Sequence, residues 1–429
     1  MMSYKKKVLI ITYYWPPAGG SGVQRWLKFS KYLRDFEIEP VIYTIDNPSY
    51  PILDKSLESE IPKDLEILKQ AIFEPNSLLS IFGSKSKKES AGFLNPNPTF
   101  FGSIIQYIRA NYFIPDARKF WIQPSVNFLS NYLENNHIDA IITTGPPHSM
   151  HLIGLELKKK LGIKWISDFR DPWTEIDYFQ QLPLTKKAIK KHQDLEQEVL
   201  INSDMVVVVG ETMKDKFLKY TKRIEVLTNG FDTIETSLTQ ELDEKFSITH
   251  VGLMNSDRNP TILWEVLNEI SNTNLNFKND LRIKLIGKLD DAVIQDLKVF
   301  DHNTIETIPY LDHKDVSKYQ ASSQILLLSI NEVPSAKGII TGKIFEYLQA
   351  KRPILAIGPE DGDAAMILKN TNAGTIVGFK NKTALKATIL KLYKDFKEEK
   401  LVVKSINIEQ YHRKNITSQL AEVIKKVVS

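Results

Sequence analysis

Short apolar runs punctuate this chain in two separate series, with longer stretches of helical periodicity between them. The first series falls at residues 8–12, 40–43, 140–143, 164–167 and 205–209. The second falls at 248–251, 283–286, 305–308, 325–329, 354–357 and 375–377. Runs this short and this uniformly apolar read as strands buried on both faces. Strands that alternate with helices build parallel sheets covered on each side, and one such helix is expected around 23–33. Two series need two sheets, and 429 residues suffice for two cores and are too many for one. The expected architecture is α/β, with two Rossmann-like domains facing each other across a cleft. The first domain spans 1–235 and the second 246–405, joined through the polar stretch 233–245. Residues 73–124, rich in Ser, Asn, Pro, aromatics and cations, interrupt the first series and read as a long insertion. A final helical stretch occupies 406–429.

Composition removes several classes of function. Without cysteine the chain forms no disulfide, no thiolate nucleophile and no Cys-ligated zinc site. A net charge of +4 is too small to argue for nucleic acid, and none is expected as a partner. No apolar run approaches the roughly 18 residues that span a bilayer. Residues 1–7 lead directly into the first strand, which is too short for a signal-peptide core and has no small-residue cleavage site after it. A cytoplasmic protein is the expectation. Lysines at 158–160 and at Lys186, Lys187, Lys190 and Lys191 read either as solvated helix faces or as contacts for anionic headgroups. The insertion adds Phe100, Phe101, Tyr107, Tyr112, Phe113, Phe120 and Trp121 among Arg109, Arg118 and Lys119. Aromatics mixed with cations suit a small satellite core. They equally suit a membrane interface, so peripheral contact with the inner membrane surface is the second reading.

One stretch carries the most chemistry: Gly342-Lys343-Ile344-Phe345-Glu346-Tyr347-Leu348-Gln349-Ala350-Lys351-Arg352-Pro353-Ile354-Leu355-Ala356-Ile357-Gly358. Ile344, Tyr347 and Leu348 make the buried face of a helix. Lys343 and Glu346, three apart, share the neighbouring face near its start. Pro353 ends the helix and admits a short apolar strand. A helix start bearing a cation and a carboxylate suits a nucleotide: amides and Lys343 attract phosphate, and Glu346 accepts from ribose hydroxyls. An ordinary surface Lys–Glu pair is the competing reading.

That stretch resembles the donor-nucleotide motif of GT-B glycosyltransferases, specifically retaining family 4, whose motif holds two Glu residues. Glu346 matches the second, the ribose ligand. The first would fall at Gly338 and is missing; in the family it usually meets the donor sugar. Val226-Leu227-Thr228-Asn229-Gly230-Phe231-Asp232 is similar to the signature that closes the first domain of such enzymes. The resemblance covers nearly the whole chain. It implies a GT-B fold, with the last helix crossing back onto the first domain, and a donor seated mostly on the second.

The remaining loops follow strand ends, where parallel sheets bind ligands. Trp15-Pro16-Pro17-Ala18-Gly19-Gly20-Ser21-Gly22-Val23-Gln24-Arg25 joins the first strand to the first helix. As a dinucleotide fingerprint it has Arg25 in place of the third glycine, with Asp46 as the ribose acid. It also resembles the glycine loop of family 4, which would set Gly20 and Gly22 against the donor phosphates. In Thr144-Gly145-Pro146-Pro147-His148, His148 is either structural or, as the resemblance implies, hydrogen-bonded to the donor sugar. In Asp168-Phe169-Arg170-Asp171-Pro172-Trp173, the charges either form a clamp between Arg170 and an aspartate, or an aspartate such as Asp168 faces the acceptor hydroxyl. The segment resembles one common in a bacterial branch of family 4. In the loop after 248–251, Leu253 replaces the family's usual Arg. Arg258 lies beside its usual Lys, as a diphosphate ligand or a solvated helix-start residue.

The resemblance implies a retaining, metal-independent glycosyltransferase that needs no cofactor. It would move a sugar from a UDP- or GDP-linked donor to a saccharide or lipid-linked acceptor, in cell-surface polysaccharide synthesis. Arg258, Lys343, Gly342 and Glu346 would hold the donor, and His148 and Asp168 would serve catalysis. Two alternatives share the fold: a nucleotide-sugar epimerase, and a non-catalytic nucleotide-sugar-binding protein, the latter motivated by Gly338 and Leu253.

Overall fold

The computed structural model describes residues 5–48, 50, 52–72, 100–176, 179, 181–232, 241–309, 311 and 313–429, without the side chains of Ser21, Phe100, Phe101, His313 and Lys314. Most of the expected insertion and linker therefore lie outside the described residues. The chain divides into two compact units, Met1–Asn229 with Arg413–Ser429, and Gly230–His412.

The first unit runs β1 (Lys6–Ile11), α1 (Ser21–Tyr32), β2 (Ile38–Ile45), β3 (Glu66–Gln70), α2 (Phe100–Tyr112), α3 (Ile122–Asn135), β4 (Ala140–Gly145), α4 (Ser149–Leu161), β5 (Lys164–Phe169), α5 (Lys186–Asn202), β6 (Met205–Val208), α6 (Glu211–Phe217) and β7 (Ile224–Val226). Its strands form a parallel sheet ordered β3-β2-β1-β4-β5-β6-β7, with Val8 facing Pro40 on one side and Ala140 on the other. Both faces of β1 are covered. Leu9 and Ile11 pack with α3 and α4 through Leu129, Met150 and Ile153, while Val8 and Ile10 pack with α1 through Trp26 and Leu27. This double burial is why the runs read as continuously apolar rather than alternating.

The second unit runs β8 (Phe246–Val251), α7 (Thr261–Thr273), α8 (Leu275–Asp280), β9 (Leu281–Ile286), α9 (Asp291–Asp296), β10 (Ile305–Ile308), α10 (His313–Ser322), β11 (Ile325–Ser329), α11 (Lys343–Ala350), β12 (Ile354–Ile357), α12 (Asp363–Thr371), β13 (Gly374–Val377) and α13 (Lys382–Lys397). Its parallel sheet is ordered β10-β9-β8-β11-β12-β13. Ile325 and Leu327 pack into one face, Leu326 and Leu328 into the other. In each sheet the strand order reverses once, between β1 and β4 and between β8 and β11. Ligands of such sheets bind beyond the strand carboxyl ends at that reversal.

The last helix, α14 (Arg413–Val428), belongs to the first unit and buries Leu420 and Ile424 in the same core as Trp26 and Leu27. The two units meet at 229/230 and at 412/413. Phe231 donates its N–H to the Tyr411 carbonyl at 3.0 Å, and both side chains pack in the second unit's core.

Candidate functional site

In the second unit the residues of interest gather at the carboxyl end of β8 and the start of α11. The helix begins at Gly342 with a tight first turn, Ile344 N–H to Thr341 O and Phe345 N–H to Gly342 O. It stops at Lys351 in the left-handed region, one residue before Arg352-Pro353. The Tyr347 hydroxyl accepts from the Val251 N–H at 3.1 Å and donates to the Leu327 carbonyl at 3.3 Å, which fixes α11 against the sheet. Lys343 then lies across Gly252. The φ of +95° at Gly252 favours glycine, and a Cβ there would fall 2.8 Å from Lys343 Cε and push the lysine aside.

Lys343 Nζ is 3.1 Å from Nε2 of the buried His250, whose Nδ1 is 3.2 Å from the Leu327 carbonyl. A carbonyl only accepts, so Nδ1 carries the proton and the Nε2 lone pair receives the ammonium. Burial first, and then the Lys343 charge, push the His250 pKa well below its ordinary value. Burial and the nearby Arg258 charge lower Lys343 to about 7, against an opposing pull from Glu346. Arg258 donates from Nε to Asn331 Oδ1 at 2.9 Å and from Nη1 to the Leu253 carbonyl at 3.2 Å. Among the described residues neither cation has a carboxylate within ion-pair distance. Glu346 is half-buried and accepts from Gln320 Nε2 at 3.1 Å. Gly338 ends a short 3-10 turn, Ala336–Gly338. His250 escaped the sequence reading; its signal is a polar residue in an otherwise buried strand, two positions before a glycine.

In the first unit Gly20 caps α1 at φ +106°, its carbonyl taking the Val23 and Gln24 N–H groups. Asp46 is exposed beyond β2, and Arg25 does not leave the space of a third glycine. Arg25 turns inward and donates to Asp168 through Nη2 at 2.9 Å and Nε at 3.3 Å, and to the carbonyls of Leu227 and Thr228. Trp26 Nε1 and Thr144 Oγ1 complete the shell around the Asp168 carboxylate, at 2.8 and 2.9 Å. Asp168 is 1% exposed. This corrects its assignment as a catalytic acceptor-facing group: its lone pairs are spent inside the protein, and its partner is Arg25 rather than Arg170.

His148 precedes α4 and lies flat on Trp173, ring centroids 4.8 Å apart and 5° from parallel. It is 7% exposed, and neither ring nitrogen has a partner among the described residues. Burial, then the charges of His151, Arg170 and His192, keep it neutral. His151 is satisfied on one side: its Nδ1 is 2.9 Å from the Thr143 hydroxyl, which also accepts from Trp165 Nε1 at 2.9 Å, while its Nε2 is buried without a partner among the described residues. Arg170 donates its N–H to the Gly145 carbonyl at 3.0 Å, and Nη2 to the Pro146 carbonyl. Its Nη1 lies over Gly22, where a Cβ would fall 1.6 Å away.

Part of the aromatic insertion is core. Trp121 is fully buried and stacks on Tyr43 at 5.0 Å. Ile104, Ile105, Tyr107, Ile108, Tyr112 and Phe120 are exposed. Among the described residues no helix is long and apolar enough to cross a membrane.

No protein-family model matches the sequence, and no protein of curated function matches it. Solved structures do match. Sucrose-phosphate synthase from Thermosynechococcus elongatus aligns over 98% of this chain and 98% of its own, at 12% identity and a TM-score of 0.63. Anabaena HepE, solved with UDP-glucose, aligns over 98% and 99% at 12% identity and 0.60. A Listeria monocytogenes protein described as a candidate UDP-N-acetylglucosamine 2-epimerase aligns over 98% and 96% at 13% identity and 0.56. The two parallel sheets with their helices are the two Rossmann-like domains of the GT-B fold.

Proposed function

We propose that this chain is a glycosyltransferase of the retaining family 4 type, moving a sugar from a UDP- or GDP-linked donor to a saccharide or lipid-linked acceptor. One observation carries the proposal. Arg258 and Lys343 lie at the β8 and α11 ends, neither with a carboxylate within ion-pair distance among the described residues, and the Arg258 charge, after burial, lowers the Lys343 pKa against the pull of Glu346. Uncompensated, half-buried cations are costly, and a diphosphate removes the cost. Glu346, one turn further along α11, is placed for ribose hydroxyls. Gly342 opens the helix end to the phosphates. The UDP-glucose bound by the structurally similar HepE supports this ligand class.

In this reading the chemistry is electrostatic. Charge develops on the departing diphosphate, and Arg258 and Lys343 are fixed to receive it, His250 and Gly252 holding Lys343 in place. The two cations do the work a metal would do elsewhere. His148, neutral and with both nitrogens unpartnered, donates to a sugar hydroxyl. With Asp168 committed to Arg25, we assign no carboxylate nucleophile; the family's front-face route, with retention, follows. The acceptor belongs to surface polysaccharide or lipid-linked saccharide synthesis, on a cytoplasmic protein. The exposed apolar side of α2, beside the lysines of α5, contacts the membrane surface.

The test is a thermal-shift screen of the purified protein against UDP, GDP, ADP, their sugars and NAD(P). Stabilisation by one nucleoside diphosphate and its sugar, lost in Glu346→Ala, is the expected result. Stabilisation by NAD(P) alone would overturn the reading. Free UDP released from a UDP-sugar without acceptor would transfer the site to the epimerase class.

A further inference from the structure

The donor reading leaves one arrangement in the second unit without a reason: the partner of Lys343 is an imidazole. Elsewhere in this fold a lysine drawn toward the interior meets a carboxylate. Lys28, Lys158 and Lys284, whose side chains are 11%, 24% and 12% exposed, pair with Glu60, Asp204 and Asp243. Lys343 is half-buried, and it sets Nζ 3.1 Å from Nε2 of His250, which is 0% exposed. A neutral ring stands where the other three lysines have an anion.

The surroundings of the histidine commit its two nitrogens. Nδ1 is 3.2 Å from the Leu327 carbonyl, so that nitrogen carries the proton. The Leu253 carbonyl also faces the ring, and it takes Arg258 Nη1 at 3.2 Å. Nε2 keeps its lone pair for Lys343. Two strand ends shape the approach of the lysine. Gly252, two residues after His250, offers no side chain to stop the stem: a Cβ there would fall 2.8 Å from Cε and 3.2 Å from Nζ. Gly252 is itself seated against the end of β9. Its N–H meets the Ile286 carbonyl at 2.6 Å, and a Cβ on Gly287 would fall 2.8 Å from its oxygen. The stem of Lys343 therefore runs over backbone and ends on a single uncharged acceptor.

We propose that His250 is the positioning residue for Lys343: a neutral acceptor that selects one arrangement of a flexible four-carbon stem and leaves its positive charge uncancelled for an anionic ligand. A carboxylate at this place would hold the stem equally well and would also answer the charge, so an arriving diphosphate would compete with it. An imidazole held in the Nδ1–H form fixes the position alone. The inference rests on the donor reading for the identity of the anion, and the first of its two tests does not.

The first test is ligand-free. The full chain is labelled with ¹⁵N-histidine, and His250 is identified by the signals that His250→Gln removes. Long-range proton–nitrogen correlation should show a neutral Nδ1–H ring between about pH 6 and 8, with an Nε2 resonance that moves in Lys343→Met. An Nε2–H ring, or an Nε2 resonance indifferent to Lys343→Met, overturns the proposal. The second test is titration calorimetry with UDP and GDP on variants checked by circular dichroism and melting. His250→Leu should weaken the nucleotide that binds by about tenfold. His250→Gln, whose Oε1 stands in for Nε2, should recover most of that loss. Lys343→Met should cost less in the His250→Leu background than in the wild type, since the two residues act together. Should His250→Leu fail to fold, His250→Asn keeps the bond to Leu327, loses the acceptor and reports the same outcome. A folded variant without the acceptor that binds as the wild type does, while Lys343→Met binds more weakly, makes His250 a core residue and overturns the proposal. If Lys343→Met also binds as the wild type does, or neither nucleotide binds, the donor reading falls instead, and the resonances alone decide the role of His250.

Discussion

Loading the second unit with a nucleotide sugar should draw a proton from the buffer. Burial and the Arg258 charge hold Lys343 near about 7 in the free protein, below its ordinary 10.5. A diphosphate beside both cations offsets each cause, so the bound ammonium returns toward its ordinary value. With a free pKa of about 7, Lys343 carries roughly 0.1 proton at pH 8, roughly half at pH 7 and roughly 0.9 at pH 6. Binding should therefore take up about 0.9 proton at pH 8, about 0.5 at pH 7 and about 0.1 at pH 6. Titration calorimetry in buffers of different ionisation enthalpy counts these protons. The ligand must be the sugar diphosphate, because the terminal phosphate of a free diphosphate titrates near about 6 itself. Lys343→Met should abolish the uptake. Stability moves with it. The folded pKa lies below the unfolded one, so the unfolded chain binds more protons between about 7 and 10.5. The Lys343 contribution is therefore most favourable above that window and is lost as pH falls through about 7. Lys343→Met should raise the melting temperature at pH 7, with the gain fading toward pH 10. A nucleotide sugar that binds at pH 8 with no proton exchange would show that Lys343 does not face the diphosphate.

Three further outcomes are expected. Gly252→Ala should cost about 1–3 kcal/mol of stability from its backbone conformation alone, and should also weaken nucleotide binding by displacing Lys343; unfolding curves and calorimetry separate the two. Asp168→Asn should destabilise the protein by roughly 3–5 kcal/mol in urea denaturation by leaving Arg25 buried and unpaired, whereas a folded, inactive variant would restore a catalytic role to Asp168. The Ile105→Glu, Ile108→Glu double variant should lose cosedimentation with anionic vesicles at low salt, and a wild type that ignores such vesicles would remove the membrane contact.

The apolar runs made most strands legible, the central ones because both their faces are buried and β10 and β13 although they are edges of the second sheet. The runs at 305–308, 325–329 and 354–357 match β10, β11 and β12 to the residue, and the others differ from their strands by one or two residues at one or both ends. The edge strands of the first sheet, β3 and β7, were not legible. Edge strands bury few side chains, and Glu66-Ile67-Leu68-Lys69-Gln70 shows little of the apolar run that marks β1. In the second unit the sequence brought Lys343, Glu346 and Arg258 into view, through helix spacing and a strand-end loop. It could not show His250, because a strand histidine announces neither its tautomer nor its partner. Asp168 was misjudged for a related reason. Its counter-ion, Arg25, lies far away along the chain, and nearest-neighbour reasoning favoured Arg170.

The placement of α14 bears on how the chain is made. The first unit is interrupted by the whole of the second, and α14 supplies Ile416, Leu420, Ala421 and Ile424 to one face of the first sheet only after residues 230–412 have been made. Until then Trp26 and Leu27 on α1 lack those partners, and Gln24 lacks the Arg413 guanidinium that reaches it at 2.7 Å. A ribosome-bound chain can finish the second unit while the first still waits. An expression fragment ending at residue 229 would leave that apolar face bare, whereas the second unit, continuous in the chain, is the piece to produce alone.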